Sequence, residues 1–352
     1  MTEGNSEHDG IVEGPKVPSG RILVGTILLV GLVIGVLITM DWDKLHQILV
    51  QADWRAIPAA IVFTAISYGA TGYLFARVSR LMGIQMKMRD MTEIGFVTAS
   101  LNHVVTSGGV AGYSVRYLLM RESGVALKDV LAASALHYYL TTLVMLGALP
   151  VAFVYLIFNS SMTRVVAIGI GVATLLVSII FLFFTALIFL QSMRAPFLRW
   201  VGKIAKAVIR RDLSDTLDKF DQALARGVKR FRAQPREIFL AVSLVAMDEV
   251  GSATVLWFCF KALGPAVAPG VLMAGFVIGI IAGVISMVPG GLGVQEGSMA
   301  GVFALLGTPI EQAVLAALLF RVIYFLLPYF ASFGFYGRLM GPTDHRAHVG
   351  QE

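Results

Sequence analysis

Val288-Pro289-Gly290-Gly291-Leu292-Gly293-Val294-Gln295-Glu296 interrupts an otherwise apolar run at 271–307, and its reading decides the fold. One proline and three glycines within five residues break a helix, because proline lacks an amide hydrogen and glycine costs helix entropy. A second cluster, Ser107-Gly108-Gly109-Val110-Ala111-Gly112, sits inside 91–128. Each reads as the tip of a hairpin in which one helix ends and another restarts, at Tyr113 and at Val294.

Working outward, the 352 residues are 57% hydrophobic and 14% charged. Soluble domains run near 45–50% apolar and about 25% charged, so the class is membrane protein. Apolar runs at 22–40, 57–76, 130–158, 165–190, 238–260 and 310–336 each approach or exceed the roughly 20 residues that cross a hydrocarbon core. The loop at 191–236 carries twelve Lys or Arg against four Asp, and Arg77, Arg80, Lys87 and Arg89 follow the second run. Loops enriched in Lys and Arg stay in the cytoplasm. Both termini are then cytoplasmic, with tails at 1–21 and 339–352 flanking one membrane domain at 22–338, and 22–40 serves as a retained signal anchor. Segment 91–128 begins and ends among cytoplasmic charges, and 271–307 begins and ends outside. The expected fold is all-α: about six full transmembrane helices plus two re-entrant broken-helix hairpins.

The two hairpins match each other. Gly108 to Gly290 is 182 residues, Gly124 to Gly307 is 183, and Val130-Leu131-Ala132-Ala133 to Val314-Leu315-Ala316-Ala317 is 184. One hairpin enters from each side, so the repeat is inverted, as in secondary transporters whose substrate sites lie between broken helices near the midplane. Within 191–236, the stripe Phe197, Val201, Ile204 and Val208 lies opposite Arg199, Lys203, Lys206 and Arg210. A second stripe runs Leu213, Leu217, Phe220, Leu224, Val228 and Phe231. Both read as cytoplasmic amphipathic helices, lying on the inner leaflet or capping the protein's own face.

Ionisable groups at membrane depth are costly and mark function. The candidate substrate-binding residues are Arg321, Arg116, Glu296, Asp248, Asn102 and Tyr113. The tips are Gly108, Gly109, Gly112, Pro289, Gly290, Gly291 and Gly293. Restarted helix ends point positive dipoles at the midplane and suit an anion. Arg321 and Glu296 also admit a purely structural ion pair, and Asp248 or Glu249 a proton carrier or a partner for Arg321. Tyr138, Tyr139, Tyr324 and Tyr329 read as packing or interfacial aromatics. Cys259 stands alone in an apolar run, and no metal-ligand spacing, nucleotide loop or nucleophile elbow occurs. No cofactor, metal or enzymatic activity is expected, and the basic residues flank spans rather than forming a nucleic-acid face.

The stretch 288–296, followed by Glu311-Gln312-Ala313 and by Arg321 through Pro328 to Gly334, resembles the lysylphosphatidylglycerol synthase transmembrane (flippase-like) family. The resemblance reaches back to Asn102 through Arg116 and covers nearly the whole chain. That family usually has a proline before its first glycine and a Gly-Glu pair ahead of the arginine; here Thr106-Ser107 and Gly112-Tyr113 stand instead. The resemblance implies a membrane domain that translocates or binds phospholipid, sometimes fused to an aminoacyl-transferring domain, and the expected location is the cell inner membrane. No room for that domain is expected after Arg338. The leading expectation is a flippase or lipid-binding transporter for an anionic or polyprenyl-linked lipid, with the phosphate on Arg321 and Arg116 and the acyl chains left in the bilayer. The alternatives are a non-transporting accessory to a separately encoded lipid-modifying enzyme and a small-anion or ion transporter. A homodimer fits any of them.

Overall fold

A computed structural model describes residues 41–105, 110–159, 164–209, 213–286 and 288–340. The expected span at 22–40, both tails beyond those limits, Gly108, Gly109 and Arg210 lie outside them. Every element among the described residues is helical. In chain order they are α1 (Trp42–Val50), a 3-10 turn (Trp54–Ala56), α2 (Ile57–Leu81), α3 (Met88–Val105), α4 (Val110–Arg121), α5 (Leu127–Asn159) and α6 (Arg164–Phe189). There follow α7 (Gln191–Ile209), α8 (Ser214–Arg232), α9 (Pro235–Leu263), α10 (Pro269–Ile285), a 3-10 turn (Pro289–Gly291) and α11 (Val294–Leu305). The last long helix comprises α12 (Ile310–Phe320), a π-helical stretch (Arg321–Leu326) and α13 (Leu327–Leu339).

Among the described residues four helices are long and apolar enough to cross a membrane: Trp54–Leu81, Ala167–Phe189, Pro235–Leu263 and Ile310–Leu339. The first, third and fourth bury much of their surface inside the protein. The second, within α6, exposes Leu175, Ile179 and Leu182, as a helix does when hydrocarbon is its solvent.

Helices α2–α5 and α9–α13 follow the same plan. Each begins with a long helix, has a shorter one of 18 or 17 residues, breaks, restarts for 12 residues, and enters another long helix. Their junctions match as well: Gly83 and Gly264 both have positive φ after the first helix, and Gly124 and Gly307 do so before the last. Contacts between the two sets of helices are reciprocal. Phe63 stacks on Phe258, Ser67 meets Asp248 and Arg77 pairs with Glu237, so α2 and α9 lie antiparallel. Ser67 and Asp248 are 181 residues apart, as are Gly83 and Gly264, so equivalent positions of the two halves touch each other at the crossing. Glu93 pairs with Arg338, Phe96 packs on Phe335 and His103 stacks on Phe325, so α3 lies antiparallel to the last long helix. Reciprocally, α10 packs on α5, where Phe153 meets Ala274.

Small residues allow these helices to approach closely. A Cβ on Gly95 would sit 2.8 Å from Gly72 Cα, so α2 and α3 are in backbone contact. Gly275, Gly279 and Gly283 form a groove on α10 that receives Phe303, Met299 and Gln295 of α11.

Of the two amphipathic helices, α8 caps the protein itself. It buries Leu224, Val228 and Phe231 in the core formed with α2, α3 and α5. Helix α7 instead exposes Trp200, Lys203 and Ile204. One correction concerns the first tip: α4 restarts at Val110 rather than Tyr113, so Gly112 lies inside its first turn. A glycine is tolerated there because the end of the helix is capped from outside, as described below.

Candidate functional site

The second tip is built by backbone that only glycine adopts easily: φ is 63° at Gly290 and 60° at Gly291. A Cβ on Gly290 would lie 2.7 Å from Val104 O, so this tip presses on the end of α3, just before the first tip. Glu296 closes the tip. Its Oε2 accepts from the Gly293 N–H at 2.7 Å, neutralising the start of α11, and its Oε1 accepts from Arg321 Nε. The Arg321 Nη1 donates to Gly290 O at 2.8 Å and Nη2 to Gln295 Oε1 at 3.4 Å, with the guanidinium 4.8 Å from the Phe325 ring centre. Each donor nitrogen of Arg321 therefore has a partner within the protein, and the carboxylate it meets is Glu296, not Asp248. The helix end expected to await an anion at Val294 already holds one.

The π-helical stretch begins at Arg321. Pro328 has no N–H for the Tyr324 carbonyl, the acceptor one α-turn earlier, and Tyr68 Oη donates to that carbonyl at 2.9 Å instead. The same hydroxyl lies 2.7 Å from His103 Nδ1. Tyr324 is therefore more than the packing aromatic expected of it. Its Oη is 2.7 Å from Ser67 Oγ and 3.3 Å from Asp248 Oδ1, to which Ser67 also donates.

The first half is arranged differently. Asn102 Oδ1 accepts from the Gly112 N–H at 2.9 Å, a neutral cap where the second half has a carboxylate. One turn on, Arg116 is 2% exposed. Its Nε donates to Thr98 Oγ1 at 2.9 Å, Nη2 lies 3.4 Å from His137 Nδ1, and the guanidinium sits 4.2 Å from the Phe75 ring centre. His137 Nε2 in turn lies 3.2 Å from Thr71 O. Among the described residues no carboxylate pairs with Arg116. The position equivalent to Glu296 is Tyr113, 183 residues earlier, and the position equivalent to Arg321 is His137, 184 earlier.

Between the halves lies a cavity of about 200 Å³, walled on one side by Asn102, Arg116 and His137 and on the other by Asp248, Glu249 and Tyr324. Three candidates, Arg116, Asp248 and Asn102, thus share one space with Gly290 and Gly291. Arg321 and Glu296 stand behind its wall, and Tyr113 faces away from it. Sequence reading missed Ser67, Tyr68 and Thr98. The 181-residue spacing of Gly83 and Gly264 would have found Ser67, as the counterpart of Asp248.

The model of the lysylphosphatidylglycerol synthase TM region matches residues 22–332. The chain belongs to this family. A UPF0104 membrane protein of Pyrococcus horikoshii is 22% identical over 86% of this chain and 93% of its own. A UPF0104 membrane protein of Methanothermobacter thermautotrophicus is 25% identical over 84% of this chain and 86% of its own. The phosphatidylglycerol lysyltransferase of Staphylococcus aureus is 25% identical over 71% of this chain, which spans only 25% of that enzyme. The protein is a multi-pass membrane protein related to lipid metabolism.

Proposed function

We propose that the protein binds the phosphate of an anionic lipid at Arg116 and carries the headgroup through the membrane, without chemistry on the lipid. The observation that carries this reading is a buried guanidinium that lines a cavity and, among the described residues, pairs with no carboxylate, Asp248 and Glu249 standing on the far wall. A buried cation is tolerated when a counter-charge meets it. The second half supplies its own in Glu296, whereas the first half has Tyr113 at that place and leaves the role to a ligand. The opposite wall carries Asp248 and Glu249, and Asp248 accepts hydrogen bonds from Ser67 and Tyr324.

In this reading α3–α4 and α10–α11 are re-entrant from opposite faces. The 18-residue α3 spans about 27 Å and the 12-residue α4 about 18 Å, each less than the roughly 30 Å hydrocarbon core. Among the described residues α2, α5, α6, α9 and the final helix are the full spans, and both termini lie in the cytoplasm of an inner-membrane protein. Cysteines placed at Gly124 and Gly307 in a Cys259→Ala background are expected to react from opposite faces of sealed vesicles. Labelling of both from one face removes the inverted arrangement.

The function is tested in liposomes holding either fluorescent phosphatidylglycerol or fluorescent phosphatidylcholine, with a membrane-impermeant quencher outside. The protein is expected to bring inner-leaflet phosphatidylglycerol within reach of the quencher and to leave phosphatidylcholine protected. Equal exposure of both lipids, or of neither, overturns the reading. Phosphatidylglycerol that co-purifies but never changes leaflet restricts the protein to lipid binding for a separate enzyme.

A further inference from the structure

A second cavity, of about 340 Å³, adjoins the first between α5, α6, α7 and α8. Its walls include Leu146, Phe181, Phe184, Phe197 and Leu198, and it is almost wholly apolar. The charged group at its edge is not a ligand site: Arg194 is buried, pairs with Asp221 and donates to the carbonyls of Leu187 and Ile188 at the end of α6. The two cavities share Tyr138 and Thr142 of α5 as a common wall. Tyr113 lines the second cavity and meets Tyr138 edge-on, with ring centres 6.4 Å apart. Tyr113 and Arg116 are three residues apart on α4, a rise of about 4.5 Å. One helix thus shows a cation to the polar cavity and an aromatic ring to the apolar one.

We infer that the apolar cavity holds one hydrocarbon chain of the same lipid whose phosphate sits at Arg116, with Tyr138 and Thr142 flanking the passage between chain and headgroup. This replaces the expectation that the acyl chains stay in the bilayer, and it rests on the headgroup reading above. The occupant follows from the continuity of the two spaces and from their chemistry. Arg116 and Tyr138 line one cavity, so a headgroup fixed at Arg116 has its glycerol within reach of Tyr138, and the next space along is apolar and aromatic, with Arg194 at its edge paired to Asp221. An apolar void without such an occupant forfeits dispersion contacts on all its walls. The chain also gives a reason for α7 and α8 to cover this face: they close the cavity against water. Their cover leaves α7 exposing Trp200 and Ile204 where a lipid would enter from the leaflet.

The test uses the full chain in nanodiscs with two photoreactive probes. One is phosphatidylglycerol carrying a diazirine midway along one acyl chain; the other is a diacylglycerol with the same chain. Adducts mapped by mass spectrometry are expected on Leu146, Phe181, Phe184 and Leu198 with the phosphatidylglycerol probe. The diacylglycerol probe is expected to label the outward residues Leu175, Ile179 and Leu182. Ala135→Trp, which fills the cavity from α5, and separately Leu198→Trp, which fills it from α7, should shift the phosphatidylglycerol adducts to the outward set. In both variants selective binding of phosphatidylglycerol over phosphatidylcholine should weaken but persist, because Arg116 is untouched. Adducts confined to the outward residues in the wild type, with that selectivity intact, overturn the chain site and spare the headgroup site. Equal labelling of the cavity by both probes also overturns it, since the chain would then be held without its headgroup. Loss of selectivity in the wild-type protein itself is the result that instead overturns the headgroup reading.

Discussion

Arg116→Met is expected to abolish the preference for phosphatidylglycerol over phosphatidylcholine and, in the same protein, to raise the melting temperature in lipid-free detergent. The two effects have one cause. The Arg116 guanidinium is buried against Thr98, His137 and Phe75 with no carboxylate beside it among the described residues. An uncompensated buried charge costs several kcal/mol, and replacing it with an apolar side chain of similar volume relieves that cost. Hydrogen bonds to a charged group contribute about 1.5–3 kcal/mol, so losing those to a phosphate lowers affinity roughly ten- to hundredfold.

The stability measurement separates ligand binding from packing. If Arg116 serves the fold through Phe75 and Thr98, the methionine variant melts lower in the absence of lipid. Added phosphatidylglycerol then stabilises it as much as it does the wild type. That outcome would sink the headgroup assignment. Arg116→Lys keeps the charge but loses the planar fork and much of the stacking on Phe75. It should retain the preference for anionic lipid at reduced affinity.

How much of this was legible in the sequence varied with the physics behind each feature. Clusters of glycine and proline inside apolar runs announce broken helices regardless of context, so the break at Pro289–Gly291 and the order of the described helices could be read. The spans were read too short: α2 continues to Leu81 past Arg77 and Arg80, and α9 begins at Pro235 before the apolar run. Helices extend through basic flanks whose charges reach water or a partner, as Arg77 reaches Glu237. The kinship of α2 and α9 was hidden because the two halves placed different residues, Ser67 and Asp248, at equivalent positions. The first restart was misplaced because its cap, Asn102, lies ten residues before the N–H it satisfies. The charged residues themselves were found, since a cation or carboxylate in an apolar helix is conspicuous. Which of them faced the cavity was not, because that depends on whether a partner lies behind them, and pairing between elements leaves no local trace.

Arg321 shows the consequence, for it was expected to be the main counter-charge of a phosphate, whereas its guanidinium meets Glu296, Gly290 O and Gln295. Arg321→Ala is expected to cost about 3–5 kcal/mol of stability, the effect of leaving one member of a buried pair without the other. Glu296→Ala should cost a similar amount, since it also uncaps the Gly293 N–H. In both variants the protein should express poorly or melt far below the wild type. The double variant Arg321→Leu/Glu296→Leu removes both charges together. It should regain most of the lost stability, although Gly290 O and the Gly293 N–H lose their partners. The deciding measurement is phosphatidylglycerol selectivity in that refolded double variant. Arg116 is unchanged there, so selectivity should persist. A stable double variant that binds no anionic lipid would return the phosphate to Arg321 and make its contact with Glu296 a resting state that the lipid displaces.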